Sequence, residues 1–337
     1  MSARACIIPV FVPHLGCAHN CVFCNQRHIA GQTKPADAMT VRAALSQAAS
    51  LPKGAKRQLA FYGGSFTAIP AAQQEELFAA AKEAIERGEL DSIRLSTRPD
   101  AIDEIILARL KSCGVETIEL GAQSMDDEVL RLSGRGHTAE DVERASHLIQ
   151  SAGFSLVLQM MTGLPGSDAD SDYRTAERIA ALRPDGARIY PTVIVRDTEL
   201  YERWKSGEYR EHTVEDATET CARILPLFEE AGIPVIRIGL NPTEELSGGA
   251  AVAGAYHPAL GELVKSRILR KRAEELLRAV PAGSRVTLGV DRPLISQLIG
   301  QHRANLSWLK TRYGLSALKI LPLDTKNREI RVIAVEK

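Results

Sequence analysis

Residues 6–24 read Cys6-Ile-Ile-Pro-Val-Phe-Val-Pro-His-Leu-Gly-Cys17-Ala-His-Asn-Cys21-Val-Phe-Cys24. The run Cys6–Val12 has the length and β-branched content of a buried strand, and it ends at Pro13 in a loop that holds three of the six cysteines. The same order, apolar strand, small polar residues and then a helical pattern, repeats along the chain. Strands are predicted at Gln58–Tyr62, Ser92–Leu95, Thr117–Leu120, Ser155–Met161 and Ala187–Val193. Helices are predicted at Ala72–Ile85, Ala101–Ser112, Ala139–Ser151, Asp170–Leu182 and Glu215–Ala231. In Ala101–Ser112, Ile102, Ile105, Ile106 and Leu110 fall at helical spacing, with Pro99-Asp100 as a start signal and Gly114 as a stop. Such alternation implies a parallel sheet, because parallel neighbours need a crossover and the crossover is normally a right-handed helix. Open or closed, such a sheet binds ligands at the carboxyl ends of its strands. The residues to watch are therefore Pro13–Cys24, Gly63–Thr67, Ser96–Asp100, Gly121–Ser124, Thr162–Gly166 and Pro191.

Composition narrows the class. In 337 residues, 45% are hydrophobic and 25% charged, which excludes a disordered or collagen-like chain. No apolar run approaches the ~20 residues that span a bilayer. Pro9 interrupts the N-terminal apolar stretch before it reads as a secretory segment, so a cytoplasmic protein is predicted. Six cysteines, three of them within eight positions, do not read as a disulfide scaffold. Lys+Arg 42 and Asp+Glu 42 balance, yet the balance hides a split. Lys265–Lys337 carries 16 basic against 6 acidic residues, so an acidic body of −10 is joined to a tail of +10.

Three thiolates in C-x3-C-x2-C spacing can hold one face of a soft metal centre, and no fourth cysteine lies nearby to close it. His14 or His19 as a fourth ligand would make a structural zinc site, and an unrelated trio of reduced cysteines is the plainest reading. An open iron–sulfur cluster fits the spacing better, because its open position lets a cofactor or substrate bind iron. Cys6, Cys113 and Cys221 fall in strand or helix patterns and read as buried filler. His28, His147, His212 and His257 suggest nothing alone, and Trp204 reads as packing.

The cysteine spacing after the first strand, Phe23 just before the last cysteine, and Gly63-Gly64-Ser65 after the second strand together resemble the radical S-adenosylmethionine (SAM) superfamily. The resemblance implies a partial (β/α)6 TIM-like barrel in an α/β fold. It implies a 4Fe–4S cluster held by Cys17, Cys21 and Cys24, with SAM chelated at the fourth iron. It also implies one-electron cleavage of SAM to a 5′-deoxyadenosyl radical that abstracts hydrogen, with an electron donor such as flavodoxin or ferredoxin as a partner. Leu120-Gly-Ala-Gln-Ser124, Gly134-Arg-Gly-His137, Met160-Met-Thr-Gly-Leu-Pro-Gly166, Arg188-Ile-Tyr-Pro-Thr-Val-Ile-Val195 and Leu200-Tyr-Glu-Arg-Trp-Lys-Ser-Gly207 resemble the radical SAM domain of the Elongator catalytic subunit. More distantly they resemble the oxygen-independent coproporphyrinogen oxidases. The first family modifies the wobble uridine of tRNA with an acetyltransferase domain behind the radical SAM domain. The 97 residues after position 240 are too few and wrongly patterned for that acetyltransferase.

By the same resemblance Phe23, Gly63, Gly64, Ser65, Ser96, Gln123, Arg135 and Gln159 contact the cofactors, with Arg135 placed to pair bidentately with the SAM carboxylate. Arg98, His137 and Tyr190 face the substrate. Each has a plainer alternative: a tight βα turn for the glycines, a satisfied cap for the amides, a surface arginine, a core tyrosine.

After Pro242 the stretch Ser247-Gly-Gly-Ala-Ala-Val-Ala-Gly254 reads as a linker or a tight packing segment. A helix is predicted at Pro258–Arg278 with the basic cluster Lys265, Arg267, Arg270, Lys271 and Arg272. The compact unit that follows has strands at Arg285–Val290, Leu318–Leu321 and Glu329–Val335, and helices at Pro293–Leu298 and Ala304–Tyr313 around Gly300-Gln-His-Arg303. Its order resembles a KH domain, an RNA-binding fold in which a G-x-x-G turn clamps nucleotide backbone, although Arg303 replaces the second glycine. Lys271, Arg272, Gly300, His302 and Arg303 are the candidate RNA contacts. The division predicted is 1–245 for the radical SAM body, 246–280 for a linker and basic helix, and 281–337 for a KH-like α+β module. The function predicted is hydrogen abstraction in RNA, most readily tRNA. Its rivals are a radical SAM enzyme acting on a small tetrapyrrole-like molecule and a non-enzymatic RNA-binding protein with structural zinc.

Overall fold

The computed structural model describes residues 6–12, 17, 19–25, 35–48, 56–323 and 329–337. Pro13, His14 and His28 lie outside these residues. Strands β1 (Cys6–Val12), β2 (Arg57–Gly63), β3 (Ser92–Thr97), β4 (Val115–Gln123), β5 (Ser155–Thr162) and β6 (Gly186–Pro191) run in that order through one parallel sheet. The short β7 (Val193–Val195) leaves it, and β8 (Val235–Ile238) adds a seventh parallel strand beside β6. Only six strands were predicted. The seventh is four residues long, half-buried, and confined between Pro234 and Gly239, too short for a periodicity to form.

Helices α1 (Ala38–Ala48), α2 (Ala71–Glu86), α3 (Glu104–Ser112), α4 (Asp127–Leu132), α5 (Ala139–Ser151), α6 (Ala169–Ala181), α7 (Glu199–Lys205) and α8 (Val214–Glu230) supply the crossovers and rim. Helix α3 starts three residues later than predicted because Asp103 caps it, its carboxylate accepting the Ile106 N–H at 2.7 Å. The helix packs through Leu107 and Leu110, which are buried, and so Ile105, on the other face although predicted to face the core, is 83% exposed. The predicted strand Ala187–Val193 is divided at Thr192, which bonds the Thr162 carbonyl of β5 through both its N–H (2.9 Å) and its hydroxyl (2.7 Å) before Val193–Val195 pairs elsewhere.

The sheet is strongly curled. Tyr62 on β2 and Arg188 on β6 stand four strands apart, about 19 Å across a flat sheet, yet the Arg188 guanidinium donates to the Tyr62 hydroxyl at 3.0 Å. Only a sheet rolled into a partial barrel brings these side chains together, which accords with the barrel expected of the body. Leu59, Phe61, Ile93, Leu95, Ile118, Leu120, Leu156 and Leu158 are buried with apolar residues of the surrounding helices in one core.

The small-residue stretch after residue 245 packs against this body. There β9 (Ala251–Gly254) pairs antiparallel with β7, and Gly254, at φ +86°, lies so close that a Cβ would sit 2.9 Å from the Thr192 carbonyl oxygen. Helix α9 (Leu260–Leu277) then serves two cores: Val264 belongs to the barrel core, and Leu269, Ala273 and Leu277 belong to that of the C-terminal unit. In that unit β10 (Arg285–Asp291) is central, with β11 (Ala317–Leu323) parallel on one side and β12 (Ile330–Glu336) antiparallel on the other. Helices α10 (Ile295–Ile299) and α11 (Ala304–Arg312) complete an α+β arrangement. Arg267, buried on α9, donates to Glu215 at 2.7 Å and to Glu219 at 2.6 Å on α8. Asn305 bonds the Ser266 carbonyl and hydroxyl at 3.0 and 2.9 Å. Among the described residues no helix is long and apolar enough to cross a membrane.

Gly254→Ala should lower the unfolding free energy by about 2 kcal/mol or more, since left-handed backbone and steric strain each cost of order 1–3 kcal/mol. Urea unfolding of the two proteins checks this, and equal midpoints would show that the β7–β9 contact relaxes freely.

Candidate active site

The carboxyl ends of the strands surround a cleft holding about 300 Å³. Its lining includes Cys17, Cys21, Cys24, Phe23, Gly63, Gly64, Ser65, Ser96, Arg98, Gln123, Arg135, Gln159 and Tyr190. Every cysteine, cofactor and substrate residue proposed from sequence for the barrel, His137 excepted, thus lies on one cavity. None of the six cysteines is joined in a disulfide; Cys221 is fully buried, and Cys6 and Cys113 are half-buried.

The cysteine turn is pinned by neighbours on several elements. Val22 donates its N–H to the Ser133 carbonyl at 3.1 Å, and its own carbonyl accepts from Leu200 at 2.8 Å. Val22 and Phe23 pack with Ile194, Leu200 and Tyr209, which ties the turn to β7 and α7. On the far side the loop 133–137 presses against it. A Cβ on Gly134 would stand 3.0 Å from the Asn20 carbonyl oxygen, and one on Gly136 would stand 2.5 Å from the His19 ring. Arg135, buried, donates from Nη1 to Cys21 Sγ at 3.3 Å and from Nη2 to the Gly121 carbonyl at 2.8 Å. Arg98 braces this loop: its guanidinium holds Asp100 at 2.9 and 3.0 Å and bonds the Arg135 carbonyl.

The remaining rim is shaped by backbone. Gly63, at φ +114°, lets β2 approach β1 so closely that a Cβ would meet the Val12 carbonyl oxygen at 2.8 Å. Ser65 is buried and shares a hydrogen bond with Thr97 at 2.9 Å, and Ser96 donates to the Phe61 carbonyl at 3.3 Å. Gln123 adopts φ 66°, a left-handed conformation unusual for a side chain-bearing residue, beside a register shift in the β4–β5 ladder. Its amide oxygen accepts from Gln159 at 3.0 Å, so the two amides meet in the cleft.

At the cavity floor lies a charge cluster that strand periodicity does not reveal. Glu119 accepts from Arg94 at 2.7 Å, from Arg188 at 2.7 and 3.0 Å, and from the Tyr62 hydroxyl at 2.9 Å. Burial pushes the Glu119 carboxyl upward, but Arg188 and Arg94 outweigh it and hold the group below the usual carboxylate range. Burial raises the phenols of Tyr62 and Tyr190, the latter accepting from Arg188 at 3.3 Å. The only signal in the sequence was charge inside β-rich runs, Arg94, Glu119 and Arg188 each falling in a predicted strand.

These residues suit a cluster-bound cofactor. Among the described residues no three His, Cys, Asp or Glu side chains, the three cysteines included, converge on the position of a single metal ion; the three soft thiols instead border one cleft, one of them bonded by a buried guanidinium. Arg98 Nη1, Arg135 Nε and His137 Nδ1 are buried without partners beside it. His19, the zinc alternative among the described residues, lies 3.9 Å from Asp100. Of the RNA candidates, Lys271 is ion-paired to Glu219, whereas Arg272, His302 and Arg303 are exposed. His302 and Arg303 adopt φ 49° and 63°, so Arg303 takes the left-handed backbone that glycine favours.

Residues 11–179 match the family model described as the radical SAM superfamily, and residues 184–270 match the radical SAM C-terminal domain. The chain is 34% identical to human Elongator complex protein 3 over 179 residues, 52% of this chain and 32% of that protein. It is 33% identical to the tRNA uridine(34) acetyltransferase of Methanocaldococcus jannaschii over 176 residues, 50% of this chain and 31% of that one. The match thus spans about a third of these relatives. Among solved structures, archaeal Elp3 from Methanocaldococcus infernus superposes with a TM-score of 0.63 at 24% identity, over 80% of this chain and 64% of that one. Coproporphyrinogen III oxidase from Escherichia coli gives a TM-score of 0.50 at 20% identity, over 68% and 54%.

Burial, with Arg135 adding to it, lowers the His137 pKa from 6.5 to about 4. A neutral native imidazole contributes stability that is present above pH 6.5 and is lost as pH falls toward 4, up to roughly 3 kcal/mol. The difference in unfolding free energy between wild type and His137→Gln should narrow by that order between pH 7.5 and 4. A difference independent of pH would show that another group carries the titration.

Proposed function

The chain belongs to the radical SAM superfamily, an enzyme family that works with a 4Fe–4S cluster and SAM, and from that premise we propose that it abstracts hydrogen in the modification of RNA, specifically tRNA. Cys17, Cys21 and Cys24 hold the cluster, and Phe23, Gly63, Gly64, Ser65, Ser96, Gln123, Arg135 and Gln159 surround SAM. When bound, these cofactors supply a 5′-deoxyadenosyl radical by one-electron cleavage of SAM. The protein's own residues position and enclose it: Gly63 keeps the β1–β2 rim tight, Gln123 and Gln159 present a joined amide pair, and Tyr190 meets the substrate above the Glu119 cluster. Arg98 acts on the site through the Arg135 carbonyl. One observation carries the reading: the three thiols of a pinned turn border the same cleft as these rim residues.

Two observations support RNA as the substrate class. The relatives named above include a tRNA uridine(34) acetyltransferase. The 281–337 unit, proposed as a KH-like module beyond the 1–245 body and the 246–280 connection, exposes His302 and Arg303 on a turn between two helices, with Lys310 and Arg312 exposed on α11.

After anaerobic reconstitution and reduction, the full chain should release 5′-deoxyadenosine from SAM, and Cys24→Ala should reduce the yield at least a hundredfold. An undiminished yield from that variant would remove the cysteines from the chemistry. Binding of tRNA across a salt series tests the second half: Arg303→Glu with Arg312→Glu should weaken binding tenfold or more and flatten the salt slope. Equal affinities would sink the RNA assignment of this face.

A further inference from the structure

Arg135 donates to the Cys21 sulfur of the turn at 3.3 Å. Its surroundings hold it there. The guanidinium is buried, Nη2 is anchored on the Gly121 carbonyl, the backbone N–H is bonded to the Leu130 carbonyl, and the backbone carbonyl is gripped by Arg98. Glycines on either side, Gly134 and Gly136, have left-handed backbones and leave no room for a Cβ against Asn20 and His19. The loop therefore delivers a fixed positive charge to the sulfur rather than a mobile surface arginine. Nε, buried and without a partner, leaves part of the donor fork unused.

We propose that Arg135 is a positioning residue for the cluster, whose bond to the Cys21 sulfur raises the cluster's reduction potential and so eases its one-electron reduction. This rests on the reading that Cys17, Cys21 and Cys24 hold a 4Fe–4S cluster. The physical ground is general: reduction adds negative charge to a thiolate-ligated cluster, and donors to its sulfurs stabilise the reduced form. A charged donor bonds about twice as strongly as a neutral one, and the field of a buried guanidinium such as that of Arg135 is poorly screened. Nη2 is taken by the Gly121 carbonyl, so an arginine in this pose serves the cluster first and offers SAM only what remains.

The test is a redox titration of the reconstituted full chain without SAM, one electron at a time from a chemical reductant, followed by the paramagnetic signal of the reduced cluster. Arg135→Gln should shift the oxidised-to-reduced ratio at fixed potential at least tenfold toward oxidised, which is about 59 mV for one electron. Arg135→Lys, keeping the charge, should recover part of that shift and covers the case in which the glutamine variant fails to fold. Iron content and thermal unfolding accompany each titration. A potential unchanged in both variants at full iron content, with SAM affinity alone weakened, overturns the proposal and leaves Arg135 a SAM ligand only. If the wild-type chain forms no reducible cluster, the parent reading falls and this one with it.

Discussion

Glu119 is the constraint around which the barrel closes. Its carboxylate is bonded by residues from β2, β3 and β6 while standing on β4, so four strands of one sheet converge on a single charged group. A flat sheet cannot do this with side chains of ordinary reach. Burying a carboxylate is unfavourable unless it is paired and its lone pairs are satisfied. Here two guanidiniums and a phenol meet that demand, and the demand in turn selects the curl. Removing the carboxylate would leave the buried Arg94 and Arg188 guanidiniums without their shared counter-charge, at a cost of roughly 3–5 kcal/mol. An apolar cluster would pack as well; a hydrogen-bonded one keeps the polar groups of Tyr62, Glu119 and Arg188 on the same cavity as the cysteine turn.

The upper half of the site depends on that lower half. Curling the sheet gathers the strand ends into one rim, and the rim residues then meet across it: Gln123 from β4 with Gln159 from β5, Ser65 after β2 with Thr97 of β3, and Arg98 after β3 with the carbonyl of Arg135 after α4. The cysteine turn is held from two sides, by Ser133 and by Leu200, so its geometry is imposed by elements more than a hundred residues away in sequence. This explains why three buried polar nitrogens without partners, on Arg98, Arg135 and His137, can persist together. The scaffold fixes them, and two of the three, on Arg98 and Arg135, belong to residues that line the cleft.

Much of this was legible in the sequence. Strand and helix periods located six of the seven sheet strands, and the cysteine spacing with the glycine-rich strand ends marked one rim. What escaped has physical reasons. The strand Val235–Ile238 is too short to show a period. Helix α3 packs through Leu107 and Leu110, which leaves Ile105 on the opposite face in water. Arg94, Glu119 and Arg188 read as interruptions of apolar strands, because a local pattern cannot show that three charges from three strands will meet. Arg135 was seen as a cofactor residue, but its bond to Cys21 depends on a loop folding back over 114 positions.

The charge split also changes meaning in three dimensions. The basic cluster on α9 is largely spent inside the molecule: Arg267 and Lys271 pair with Glu215 and Glu219 of α8, Lys265 pairs with Glu262, and Arg270 pairs with Glu274 and lies over the Trp308 ring. Opposite charges on body and tail thus first serve to seat one on the other. Arg267 is buried while Glu215 and Glu219 are largely exposed, so salt screens this seat from the carboxylate side. The positive charge left for a partner lies farther on, at Arg303, Lys310 and Arg312, around a turn whose backbone at His302 and Arg303 is left-handed without glycine. A polyanion drawn to the tail would therefore meet α11 and its preceding turn, with exposed Arg272 of α9 beside the four α9 cations that already have carboxylate partners.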